Sequence, residues 1–267
     1  MSIIQIPTKF YRQYDADWTQ ENPAQHYQGW DTAMLPLDLS HTAVVLMHAW
    51  DCGAPQQYPG WYRAVDYLPR QTQICTKVLP VLLRAVRQSE LSLFHVVGGG
   101  DYYKNCPGYH HATALAGTAA PLPTAAPDDT VRALLEFHTQ QVSPGAHNLA
   151  DIEAGNKKIN FFPGMFPEPG EGVAENAAQL FALCREKGIN HLIYTGFAIN
   201  WCLLMSPGGM VDMSRYGLLC SVIPQAVSAV ENAESSAGQG HKEEALWRVS
   251  VGFGYVYDIE PLMNALK

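Results

Sequence analysis

His191-Leu-Ile-Tyr-Thr-Gly-Phe-Ala-Ile-Asn-Trp-Cys202 is the stretch that decides how this chain folds. It opens as a short apolar run rich in Leu, Ile and Tyr, the composition of a strand buried on both faces. The run breaks at Gly196 and delivers Cys202 to the first turn of a helix expected over residues 203–216. A thiol at such a junction meets the positive end of a helix dipole and several unpaired backbone N–H groups. Both favour the thiolate, the nucleophilic form of cysteine. The same N–H groups suit the oxyanion of an attacked carbonyl. A cysteine here also serves simply as a small apolar core residue, so the stretch leaves both roles open.

Working outward, residues 42–48 (Thr-Ala-Val-Val-Leu-Met-His) form a second apolar run and residues 91–98 a third. Helical stripes separate the runs: residues 69–88 with a kink expected at Pro80, 128–141, and 171–187 closed by Gly188. Beyond Cys202 the pattern continues with a strand at 218–223, a helix at 241–251, a strand at 254–258 and a helix at 260–266. Alternating strands and helices predict a three-layer, doubly wound α/β sandwich with a mainly parallel sheet of about six strands. Residues 1–40 show little periodicity and are expected as an arm or irregular lobe packed on a domain spanning 41–267. Residues 101–127 read as loop, and 147–170 as a weak strand followed by a Pro/Gly loop.

The 267 residues, 47 % of them hydrophobic, suffice for one large domain with a buried core. A net charge of −8 without a Lys/Arg cluster argues against nucleic acid or an anionic membrane surface as partner. No apolar run approaches the roughly 20 residues of a bilayer span, and no secretory leader is visible at the N-terminus. Six scattered cysteines without a Cys-x-x-Cys pair point to a reduced, cytoplasmic protein and away from a structural zinc site. The adjacent His110 and His111 suggest metal ligands only weakly, because sequence neighbours seldom point to one centre. No metal and no cofactor is expected.

In a doubly wound sheet the ligand sits at the carboxyl ends of the strands. Those ends carry His48, Trp50 and Asp51, then Gly98, Gly99, Gly100 and Asp101, then residues 196–202. Gly196-Phe-Ala-Ile-Asn-Trp-Cys202 resembles the Gly-x-Ala-Thr-Asp-x-Cys motif of the isochorismatase-like cysteine hydrolases, and the order of elements from residue 42 onward resembles theirs too. The resemblance implies a small-molecule substrate, a homo-oligomer, and hydrolysis of a small amide-type C–N bond through a thioester on Cys202. It further implies a cis peptide at Phe197–Ala198 and an oxyanion hole from the N–H groups of Ala198 and Cys202. An aspartate at the end of the first strand and a lysine after the third complete that family's site.

Here the sequence departs from the pattern. His48 stands in the acid's position, with Asp51 three residues on, free to orient His48, to replace it as base, or to cap a turn. Imidazole is a workable base for cysteine. Lys158 is the candidate lysine, with Lys157 beside it. Substrate contacts are expected from Trp50, Asp101, Tyr102, Phe162, Asn200 and Trp201. The second reading is a binding or assembly protein that keeps the fold without catalysis.

Overall fold

The computed structural model describes residues 3–26, 29–117 and 123–267. Residues 1, 2, 27 and 28 of the expected arm and 118–122 of the expected loop lie outside it. In chain order the elements are β1 (Ile3–Arg12), β2 (Gly29–Asp38), β3 (Thr42–Met47), β4 (Trp50–Asp51), α1 (Pro59–Ala64), α2 (Tyr67–Lys77), α3 (Leu79–Arg87), β5 (Ser92–Val96) and α4 (Pro107–Ala116). There follow α5 (Asp129–Gln141), α6 (Leu149–Asn156), β6 (Asn160–Phe161), β7 (Gly172–Ala174), α7 (Ala177–Lys187) and β8 (His191–Phe197). The last are α8 (Cys202–Met205), α9 (Met210–Arg215), β9 (Leu219–Ser228), α10 (Gly240–Gly252) and α11 (Ile259–Ala265).

Five strands form the central sheet in the order β7-β5-β3-β8-β9, every neighbouring pair parallel. β3 and β8 are buried along their whole length, as strands covered by helices on both faces must be. Alternation along β3 splits the core in two. Val45 and Met47 join Leu180, Leu183 and Val249 on one face, while Val44 and Leu46 join Leu79, Leu82 and Leu262 on the other. The expected α/β sandwich is therefore present, with five central strands. The segment expected as a sixth, 254–258, forms ladder bridges at one residue only, Val256, which joins Lys9 to Val222.

Several expected elements differ, each for a local reason. Residues 3–12 and 29–38 pair as a regular antiparallel ladder of ten positions, whose period-2 signal is blurred by Pro7 and Pro36. Ile6 and Leu37 anchor it in the core. Of the weak strand and loop expected over 147–170, the strand is present only as the short β6, and α6 precedes it, its Gly155 set against Trp61, where a Cβ would lie 2.0 Å from the ring. The expected loop 101–127 contains α4, started by Pro107. The helix over 171–187 is preceded by β7. The helix over 203–216 is split into α8 and α9 by Ser206-Pro-Gly-Gly, and that over 69–88 into α2 and α3, with Pro80 in the first turn of the second. No helix among the described residues is long and apolar enough to cross a membrane.

Candidate active site

Gly196 brings the two site-bearing strands together. It pairs with Met47, and its φ of +112° lies where side chains are disfavoured. A Cβ there would lie 1.9 Å from the Met47 carbonyl oxygen. Only glycine permits this approach, which sets the end of β8 beside the end of β3. The chain then passes a cis Phe197–Ala198 peptide and turns into α8 at Cys202.

The turn is held from outside. Asn200 Nδ2 donates to the Val230 carbonyl at 2.8 Å, and its Oδ1 accepts from Val230 N–H at 2.9 Å. Both ends of the amide thus take part in fixing the turn, and each keeps one further hydrogen-bonding position. Arg70 of α2 reaches the neighbouring Ala229 carbonyl at 3.0 Å and pairs with Asp66. Around Cys202 the N–H groups of Ile199, Trp201 and Leu203 all have acceptors. Those of Ala198, Asn200 and Cys202 have none among the described residues. Cys202 is a free, half-buried thiol, flanked by Trp201 at 56 % exposure. The helix it starts is a single turn, so few peptide dipoles are aligned on it.

A residue that the sequence reading missed lies within electrostatic range of the thiol. Burial, then the proximity of Cys202, Cys52 and Asp66, holds the Tyr67 hydroxyl well above its ordinary pKa, so it stays protonated. No local motif signals Tyr67, because it arrives from α2, far from Cys202 in the chain.

His48 follows β3 with φ +52°, a left-handed conformation that costs a non-glycine residue on the order of 1 kcal/mol or more. Its ring stacks on Trp50 at 4.5 Å between centroids. Nδ1 is buried without a partner, and the other nitrogen lies against the Val97 carbonyl and Gly98 at the end of β5. In the strand order, β5 flanks β3 on the side opposite β8. The ring therefore leans away from the Cys202 side, and no hydrogen bond joins the two. Beside it lies a small cavity of about 10 Å³, room for one water, lined by His48, His95, Tyr102, Phe161 and Met165.

The remaining candidates divide. Trp50 Nε1–H donates to the Tyr102 hydroxyl at 2.9 Å, tying two expected pocket walls together next to His48. Phe162 packs at the edge of the core, its N–H on the Ala49 carbonyl. Asp51 accepts from Gly53 N–H at 2.9 Å, the turn-capping role. Asp101 is 83 % exposed at the side chain and pairs with Lys104. It borders an open depression of about 760 Å³ together with Gly99, Gly100, Tyr102, Glu153 and Lys157. Lys158 is exposed on the turn after α6, and Lys157 is the one that reaches this depression.

Burial lowers both His48 and the strand residue His191 from 6.5 to about 4. Between those values the unfolded chain takes up protons that the folded chain refuses, so stability falls as pH drops through that window. At about 1.4 kcal/mol per pKa unit, each histidine accounts for about 3 kcal/mol by pH 4. Urea unfolding midpoints should therefore fall steadily from pH 7 to pH 4.5. A flat profile over that range contradicts the burial of neutral imidazoles.

No protein-family model matches the chain. Among curated proteins, the ureidoacrylate amidohydrolase RutB of Yersinia enterocolitica is 30 % identical over 89 residues, covering 33 % of this chain and 34 % of that protein. The chain thus matches about a third of that relative's length. Among solved structures, a cysteine hydrolase from Pseudomonas syringae pv. phaseolicola aligns over 87 % of this chain and 95 % of that one, at 12 % identity and a TM-score of 0.49. An isochorismatase-like hydrolase from Alkaliphilus metalliredigens aligns over 86 % and 100 %, at 15 % identity and a TM-score of 0.46. The chain is similar to hydrolases.

Proposed function

We propose that this protein is a cysteine-dependent hydrolase of the isochorismatase-like type, cleaving a small amide C–N bond. One observation carries the reading: a half-buried thiol on a fixed turn whose N–H groups at Ala198, Asn200 and Cys202 itself are uncommitted, those of Ala198 and Cys202 being the pair that would receive an oxyanion. Cys202 gives up its proton to a base, and Sγ attacks the amide carbonyl carbon. The two N–H groups receive the oxyanion, and the protonated Tyr67 hydroxyl is a third donor at hand. Collapse breaks the C–N bond, and the amine leaves with the proton from the base. Water attacks the thioester, releasing the acid and restoring the thiol.

His48 is the base in this scheme. Its neutral ring carries a free lone pair on Nδ1 at physiological pH, but it must swing off Trp50 to reach the thiol. Such a swing turns a buried side chain out of its stack, a rarer event than the fast flips of exposed residues. A screen of small primary amides for ammonia release tests the scheme. His48→Ala should lower the rate of any active amide by about 10²–10⁴, and His48→Asp should retain activity. An unchanged rate in His48→Ala passes the base role to Asp51.

The inward stack of His48 on Trp50 favours a second reading, in which the fold is kept as a small-molecule binding module. No ammonia release from any amide, with Cys202 alkylated at the rate of a free thiol, decides for that reading.

A further inference from the structure

α5 stands apart from the rest of the molecule in character. It is 13 residues long, about 20 Å, and none of its residues is buried. Its start is well made: Asp128 caps it by accepting from Val131 N–H at 2.8 Å. Yet an isolated helix of this length is marginal in water, and most helices owe their stability to packing of one apolar face.

α5 has such a face. At 100° per residue, Val131, Leu134, Leu135, Phe137 and His138 fall on one arc, which Val142 extends past the last turn. Leu134 is 64 % exposed and Phe137 65 %. No Asp, Glu, Lys or Arg lies in the arc. Asp129, Arg132 and Glu136 occupy the opposite side, where Asp129 and Arg132 pair with each other.

We propose that this face is the contact between two copies of the chain, α5 packing antiparallel on α5 of the partner across a two-fold axis between Leu134 and Leu135. Two features of the helix select a second copy. The arc carries no net charge of its own, so two identical arcs meet without like-charge repulsion, and a two-fold contact needs only one self-complementary patch. The area also suffices. Five large apolar side chains, each with on the order of 100 Å² to bury, give about 500 Å² per copy and about 1,000 Å² for the pair, the level a specific interface requires. Antiparallel packing additionally sets opposite ends of the two helix dipoles side by side.

Sedimentation equilibrium of the full chain at micromolar concentration tests this directly. The wild type should show at least twice the 29.4 kDa chain mass. Leu134→Glu with Phe137→Glu should halve that mass while far-UV circular dichroism and the thermal midpoint of the core hold, since α5 contributes nothing to the core. Leu134→Cys should form an intermolecular disulfide under mild oxidation, whereas Arg132→Cys, on the far side, and the wild type should not. A monomeric wild type overturns the proposal. So does an assembly whose mass survives the double substitution, or one in which Leu134→Cys fails to cross-link.

Discussion

Cys202→Ala should abolish hydrolysis, lowering the rate on any amide that the wild type turns over by about 10⁴-fold or more. Removing the nucleophile of a covalent mechanism leaves only binding and oxyanion stabilisation, and nothing nearby replaces it. The other buried thiols illustrate why. Burial pushes Cys52, Cys184 and Cys220 up to about 12, so at neutral pH they stay protonated in apolar surroundings. Cys202 is half-buried and next to free N–H groups, and the proposed scheme places the covalent step on it. Cys202→Ser should fail almost as completely, because a hydroxyl is a far weaker nucleophile than a thiol at neutral pH. Both variants should keep the wild-type thermal midpoint, since the side chain fills little of the core. Steady-state ammonia release checks the rate, and a Cys202→Ala variant with more than a tenth of wild-type activity removes the thiol from the mechanism.

Gly196→Ala should be among the most destabilising single changes in the chain. The added Cβ has nowhere to go: the Met47 carbonyl oxygen is at 1.9 Å, and the Met47 carbonyl carbon and nitrogen are at 2.8 and 2.9 Å. These are backbone atoms of the central strand, which cannot swing aside as a side chain would. The φ of +112° adds a conformational penalty to the clash. Together they place the cost at about 4 kcal/mol or more, the severe end for one substitution. In a domain of this size that corresponds to a fall of roughly 10 °C in the thermal midpoint. Because the clash pushes β8 off β3, activity should be lost before stability in a partly folded variant. Gly238→Ala, where a Cβ meets nothing within 4 Å, is the matched control and should be nearly silent. A Gly196→Ala midpoint close to the wild type means that the two strand ends are not in contact.

How much of this was legible in the chain alone depends on how local each determinant is. β3 and β8 announce themselves because strands covered on both faces are apolar throughout, and the glycine near the end of β8 and the cysteine after it mark the turn. The antiparallel ladder at the N-terminus was harder to see, since one face is solvent-exposed and each strand carries a proline. α6 and α4 were missed because their determinants are tertiary: Gly155 is shaped by the ring of Trp61, and α4 is short and only weakly patterned. The site shows the same division. The turn from Gly196 to Cys202 follows from contiguous residues, and its cis peptide is what the family resemblance of those residues implies. The direction of the His48 ring does not, because it depends on its own φ, on the stack with Trp50 and on space left by Gly98. Nor does the commitment of Asn200 to Val230, or the arrival of Tyr67 from α2. The stripe of α5 was readable as a helix, but only the fold shows that its apolar face is left outside.

The most direct test of the central claim is mass spectrometry of the wild type after acid quench during turnover of the amide that releases ammonia fastest. A thioester on Cys202 predicts an added mass equal to the acyl group of that amide, located by proteolysis on the peptide containing Cys202, sensitive to hydroxylamine and absent from Cys202→Ala. Turnover without any such adduct, or an adduct on another residue, contradicts the account.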